Sequence, residues 1–79
     1  MPAVDDAHAP ALRVLAELIA QQQTKLAACA ARIAPHLTAD DLLQPHDFPA
    51  LARDPGFNYE DGVLAGLRSA AAAIRALRQ

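Results

Sequence analysis

The residues best suited to chemistry in this 79-residue chain are the histidines and aspartates of its middle third. His36 precedes the pair Asp40 and Asp41, and His46 is followed directly by Asp47. Imidazole and carboxylate groups are common ligands of divalent metal ions. These residues therefore offer one interpretation of the chain, as a bundle that holds a metal ion or a small ligand.

The spacing of these residues does not match the metal sites that helical bundles are known to build. A di-iron bundle site requires a Glu and a Glu-x-x-His motif repeated on facing helices. This chain has only Glu17 and Glu60, and neither is followed by His at the required position. We therefore expect the aspartates to act as helix caps and first-turn charges, with no bound metal or cofactor.

A lone cysteine, Cys29, excludes an internal disulfide and a zinc site built from cysteines. A reactive thiol needs a lowered pKa and a nearby base, and no His lies near Cys29 on its helix. The chain also lacks a Gly-rich phosphate loop, a serine elbow and a paired-carboxylate motif. We therefore expect a buried cysteine and a protein that is not an enzyme.

The composition limits the core and favours self-association. Hydrophobic residues make up 53% of the chain, but 20 of them are Ala, so a single copy has few large side chains to bury. The net charge of −2 provides no electrostatic drive toward nucleic acid or anionic membranes. No apolar stretch reaches the length of a membrane span, and the N-terminus lacks signal-peptide features, so we expect a cytoplasmic protein.

A long first helix is predicted from about His8 to Ala34. It contains no glycine, Pro10 falls in its first turn, and Pro35 ends it. Apolar residues recur along it at alternating spacings of three and four, which is typical of a helix that packs against another helix. This first-helix seam, predicted to form an oligomer interface, consists of Leu12, Leu15, Ile19, Gln22, Leu26, Cys29 and Ile33.

Gln22 is the polar member of the first-helix seam, and it has two interpretations. A buried polar side chain in such a seam can set the register and the oligomeric state. Alternatively, the seam is locally open and residues 21–23, all Gln, face solvent.

A second long helix is predicted from about Tyr59 to Arg78, with Asn58 and Asp61 resembling a capping box at its start. Glycine destabilises a helix, so two glycines on one stripe indicate close approach of a neighbouring backbone. The residues of this helix predicted to form the interface are Gly62, Val63, Gly66, Leu67, Ala70, Ile74 and Leu77.

The connection between the helices, residues 35–58, holds four of the six prolines but also several Leu and Phe residues, so we expect it to be ordered. Thr38 is predicted to cap a short helix that ends at Pro45. Asp47 is predicted to cap a second short turn over residues 48–53. Asp54-Pro55-Gly56 has the composition of a turn.

The three aromatic residues of the chain lie close together in sequence, next to acidic residues. Acidic charge around aromatic anchors is a composition suited to recognising a basic protein partner. Alternatively, Phe48 and Phe57 fill the end of a bundle whose Ala-rich interior lacks bulk. The candidate partner-binding residues are Asp47, Phe48, Asp54, Phe57 and Tyr59.

These features predict a single all-α domain over residues 1–79. Its architecture is an antiparallel helical hairpin with an ordered, proline-containing connection of one or two short helices, dimerising into a four-helix bundle. We expect a non-catalytic homo-oligomer, a homodimer or a higher even oligomer, that acts as a protein-binding adaptor or regulatory module, with no membrane or nucleic-acid partner. The alternative function is a metal- or small-ligand-binding bundle that uses His36, His46 and neighbouring aspartates.

Overall fold

The computed structural model describes the backbone of residues 3–77 and the side chains of residues 7–77. It contains three α-helices, α1 (Ala3–Ile33), α2 (Pro49–Ala52) and α3 (Pro55–Ala76). Two short 3₁₀ turns, Asp41–Leu43 and Pro45–Asp47, lie between α1 and α2. The predicted all-α hairpin with short helices in its connection is confirmed, and the pairing of two copies stays a prediction.

Helix α1 begins at Ala3, five residues before the predicted start. Pro10 therefore lies inside the helix, and its predicted place in the first turn is wrong. Pro10 has no backbone N–H, so the helix lacks one hydrogen bond at that residue. At the other end, the N–H of Ala34 still donates to the carbonyl of Ala30 at 2.8 Å, and Pro35 prevents a further turn.

Helix α3 begins at Pro55, four residues before the predicted start at Tyr59. Asp54 is its N-cap, and the Asp54 Oδ1 atom accepts the backbone N–H of Phe57 at 2.8 Å. Pro55 occupies the first helical position, where its fixed φ suits the helix and its missing N–H costs nothing. The segment interpreted as a turn is therefore the start of α3.

The predicted capping box at Asn58 and Asp61 is wrong, because both residues lie inside α3. The side-chain amide of Asn58 instead donates to the carbonyl oxygen of Ala52 at 3.0 Å. This bond ties the first turn of α3 to the end of α2. Helix α3 ends at Ala76, and its predicted last residue, Arg78, lies outside the described residues.

The side chain of Thr38 bonds as expected of a cap, but the N-cap residue of the first 3₁₀ turn is Asp40, which makes no side-chain cap bond, so the predicted N-cap position is wrong. The N–H of Thr38 donates to Asp41 Oδ2 at 2.9 Å, and the N–H of Asp41 donates to Thr38 Oγ1 at 3.3 Å. This reciprocal pair joins Thr38 to Asp41, the first residue of the first 3₁₀ turn. The predicted cap at Asp47 is wrong: Asp47 ends the second 3₁₀ turn, and Phe48 is the N-cap residue of α2 without a side-chain bond.

The first-helix seam packs against α3 and the connection of the same chain. Gln22, Leu26 and Cys29 are buried, and the four other members of the seam are half-buried. The C-terminal half of α1 meets the N-terminal half of α3, so the two helices are antiparallel. The core cluster consists of Leu26, Cys29, Ala30, Leu51, Phe57 and Leu64.

The residues of α3 that are buried are not among those predicted to form the oligomer interface. They are Phe57, Leu64 and Ala71, seven positions apart. Gly62 and Gly66 are exposed, and a Cβ atom placed on either glycine would meet nothing within 4 Å. The predicted close approach at the glycines is therefore wrong within the chain.

The remaining predicted interface residues of α3 divide between the two sides of its buried face. Val63, Leu67 and Ile74 are half-buried, whereas Ala70 and Leu77 are exposed. Their role in an interface between copies stays a prediction.

The hairpin is a rod with extents of 47 × 20 × 17 Å. Neither α1 nor α3, over residues 3–77, contains a segment with the length and hydropathy that crossing a bilayer requires.

Candidate protein-interaction site

A polar contact crosses the interface between α1 and α3. The Nε2 atom of Gln22 donates to the carbonyl oxygen of Glu60 at 2.8 Å and to the Glu60 Oε1 atom at 2.7 Å. Gln22 is only 6% exposed, so the interpretation in which it is buried is confirmed. The alternative, a locally open seam in which Gln22 faces solvent, is wrong. A buried amide must find partners, and Glu60 satisfies both of its N–H groups while the two helices stay packed.

An open groove of about 560 Å³ lies between the hairpin and the connection. Its floor is apolar and includes Leu26, Leu42 and Leu64, the first and last of which are core residues. Its polar margin includes the opposite charges of Asp61 and Arg68. An apolar floor with a few polar groups around it is the usual composition of a site that receives another molecule.

Leu43 stands on the connection at the edge of this groove and is 76% exposed. It belongs to the first 3₁₀ turn, in which the neighbouring residue Leu42 is half-buried and packs against the core cluster. Sequence reasoning did not select Leu43 as a candidate. The signal was the adjacent Leu pair in a short turn, because two neighbouring side chains there cannot both face the core.

The predicted partner-binding residues fall into two groups. Phe57 is buried and Phe48 is half-buried against the core cluster, so both aromatic rings serve the interior of the fold. Asp54 is half-buried and caps α3. Asp47 and Tyr59 are exposed, the latter at 69%, and remain available to a partner.

The histidines of the alternative function are both on the surface. His36 follows the end of α1, and His46 lies in the second 3₁₀ turn at the groove. Among the described residues, no group of three or more His, Cys, Asp or Glu side chains is arranged to hold a metal ion. Asp41, one of the neighbouring carboxylates, accepts the N–H of Thr38.

Comparison of the chain with protein-family models, with curated protein sequences and with solved structures finds no match. The candidate site therefore depends on the chemistry and geometry of the chain itself.

Proposed function

We propose that this protein is a non-catalytic, homo-oligomeric helical hairpin of the cytoplasm that acts as a protein-binding adaptor or regulatory module. The observation that carries the proposal is the exposed side chain of Leu43 beside a groove with an apolar floor. The contact surface is the connection together with the adjoining sides of α1 and α3.

The groove and Leu43 suit a protein partner because they combine apolar area with polar orientation. An exposed leucine beside an apolar concavity adds to a contiguous apolar patch, and such patches mark sites of interaction. Asp61 and Arg68 provide one charge of each sign at the edge of the groove. A partner segment that packs an apolar side chain onto Leu26 and Leu64, flanked by polar groups that pair with these charges, would fit this surface.

The non-catalytic part of the proposal draws support from how the polar side chains are used. Asp54 caps α3, and Thr38 and Asp41 satisfy each other's backbone N–H groups. Gln22 and Glu60 join the two long helices. These side chains stabilise the fold, so they are engaged in structural contacts.

The test places a photo-reactive phenylalanine analogue at position 43 in the full chain and irradiates cells that express it. The matched control carries the same analogue at position 17, where Glu17 is exposed on α1. We expect a specific cross-linked protein from position 43 and none from position 17. Leu43→Ser should reduce recovery of the same protein at least ten-fold without changing the melting temperature, because Leu43 is exposed.

Three results would contradict the proposed function. One is a chain that forms no adduct from position 43. Another is a pattern of adducts that is the same from positions 43 and 17. The third is a Leu43→Ser variant that recovers the partner as well as the wild-type chain does.

A further inference from the structure

The two broad sides of the hairpin differ in charge. Four residues directly follow residues that pack between the two helices: Gln23 and Ala27 in α1, and Asp61 and Arg68 in α3. All four line one groove, so they lie on one side of the hairpin. In an antiparallel pair, the residues one position before the joining residues must then share the opposite side. The structure therefore has a grooved side, covered in part by the connection, and an open side.

The open side carries no charge over a little more than half of its length, and Lys25 and Arg32 of α1 lie beyond that part. Its positions recur every third or fourth residue from Ala7 to Gln21 in α1 and from Tyr59 to Leu77 in α3, and none of them is Asp, Glu, Lys or Arg. We call these positions the charge-free face. It consists of Ala7, Ala11, Val14, Leu18 and Gln21 in α1 and of Tyr59, Val63, Gly66, Ala70, Ala73 and Leu77 in α3. Val14 is 54% exposed, Leu18 is 40% exposed and Leu77 is 65% exposed on it.

We infer that the charge-free face pairs with the same face of a second copy, giving a four-helix bundle with two-fold symmetry. The inference deepens the homo-oligomeric part of the proposed function. The surface it uses includes Val63, Gly66, Ala70 and Leu77 of the predicted α3 interface but none of the first-helix seam. The first-helix seam already packs inside its own chain, so it is not free to bind a second copy.

The size of the charge-free face matches what a stable dimer needs. One broad side of a 47 × 20 × 17 Å rod takes about a quarter of the chain's 5367 Å² of accessible surface. The charge-free face covers a little over half the length of that side. It therefore offers roughly 750 Å² per copy, close to the ~800 Å² per partner that a standard specific interface buries.

The levels of the residues along the rod define how the copies fit. The hydrogen bonds between Gln22 and Glu60 place these two residues at about the same height. Each helix rises about 1.5 Å per residue, in opposite directions. Val14, eight residues before Gln22, is therefore level with position 68, between Gly66 and Ala70 of α3.

Leu18 by the same argument is level with position 64, between Val63 and Gly66. If the two-fold axis runs along the rod, α1 of one copy lies on α3 of the other, and Val14 and Leu18 meet its smallest residues. A Cβ at Gly66 would meet nothing within 4 Å in the single chain, so there is space for a partner's side chain. Large residues packing over small ones give the close packing that protein interiors require.

The first test measures association by sedimentation equilibrium from low to high micromolar concentration. The wild-type chain should have twice the 8.4 kDa mass of one copy. Leu18→Glu and Gly66→Leu should each weaken the dimer at least ten-fold. The matched controls Ala16→Glu and Ala65→Leu place the same side chains on exposed positions of the grooved side and should leave the dimer intact.

Circular dichroism of each variant shows whether its chain still folds. Gly66→Leu fits a single chain because the space around Gly66 is empty, so its helical signal should match that of the wild type. A wild-type chain that stays monomeric at high micromolar concentration would overturn the inference. So would controls that dissociate as readily as Leu18→Glu.

The second test fixes the arrangement of the copies and uses a Cys29→Ala background. A mixture of a Val14→Cys chain and an Ala70→Cys chain should give a mixed disulfide product under mild oxidation. Val14→Cys alone should give little product, because the two Val14 residues lie on opposite sides of the bundle in this arrangement. The reverse result would overturn the proposed placement of α1 on the partner's α3.

The pairing of copies and the adaptor function can fail separately. If Leu18→Glu is monomeric and position 43 still cross-links its partner, both ideas stand, because the two surfaces lie on opposite sides of the hairpin. A monomeric wild-type chain that cross-links from position 43 removes the pairing alone. A dimer without cross-linking removes the adaptor alone.

Discussion

Gln22 and Glu60, 38 residues apart in sequence, hold the two long helices in register through one amide group. The Gln22 Nε2 atom donates to both the carbonyl oxygen and the carboxylate of Glu60. Only one alignment of the helices brings these groups together, because a shift of even one helical turn moves them about 5.4 Å apart. The contact therefore selects the register in a helix pair whose many alanines would pack comparably in others.

Removing the Gln22 amide should destabilise the chain more than removing its neighbour's. Gln22→Ala leaves the half-buried Glu60 carboxylate without its donor and opens a gap between the helices, so we expect a loss of about 1–3 kcal/mol. The control Gln23→Ala changes the same residue type at an exposed position and should stay within about 0.5 kcal/mol. Urea unfolding measures both, and equal losses would show that the contact does not stabilise the hairpin.

The two candidate aspartates at either end of α2 should respond differently to substitution. Asp54→Ala removes the N-cap of α3 and should cost about 1 kcal/mol in the free energy of unfolding. Asp47→Ala should cost little, because Asp47 is exposed and ends a 3₁₀ turn. Thermal melting of the two variants distinguishes them, and a larger effect at Asp47 would contradict the capping assignment.

Glycine substitutions test the space around α3. Gly62→Ala should stabilise the chain by up to about 1 kcal/mol, because alanine favours a helix and its Cβ meets nothing within 4 Å. Gly56→Ala is the control. Its Cβ would lie 3.2 Å from the Asp54 Oδ1 atom, so it should gain less or lose stability as the cap is displaced. Equal gains in the urea midpoint would contradict this difference.

Substitutions of the two aromatic residues of α3 should differ in their effect on the free energy of unfolding, because one is buried and the other is exposed. Phe57→Ala empties the centre of the core and should cost about 3–5 kcal/mol, a large part of the stability of a domain this small. Tyr59→Ala, two residues later and exposed, should change the unfolding free energy of a dilute sample by about 0.5 kcal/mol or less. A Phe57→Ala chain that melts like the wild type would mean that Phe57 does not support the core.

The seam of α1 could be predicted because its large residues leave little ambiguity. Leucines and isoleucines recur at heptad spacing there, and each of the seven seam residues is buried or half-buried. The buried face of α3 could not be read in the same way. Its alanines are compatible with several faces, and the charged residue Glu60 stands where an apolar residue would have marked the seam.

Contacts between distant segments explain the other differences. Glu60 lies at the contact between α1 and α3 because it accepts hydrogen bonds from Gln22. No local sequence pattern connects these two residues. The start of α3 is contained in the sequence, because an Asp followed by Pro is a strong signal for a helix N-terminus. The glycine at position 56 favours a turn, and for this reason the segment is predicted as a turn. Which leucine of the pair at positions 42 and 43 faces outward depends on where the connection folds against α1.

The rod shape of the hairpin affects how the protein behaves in solution. Its Cα radius of gyration is 15.4 Å, whereas a compact domain of this length would have about 12 Å. An elongated particle experiences more hydrodynamic drag than a sphere of equal mass, so a single copy should elute early from a size-exclusion column and tumble anisotropically. Elution volume calibrated with spherical standards would then overestimate the mass of a single copy, so the copies are best counted by methods that weigh the particle independently of its shape.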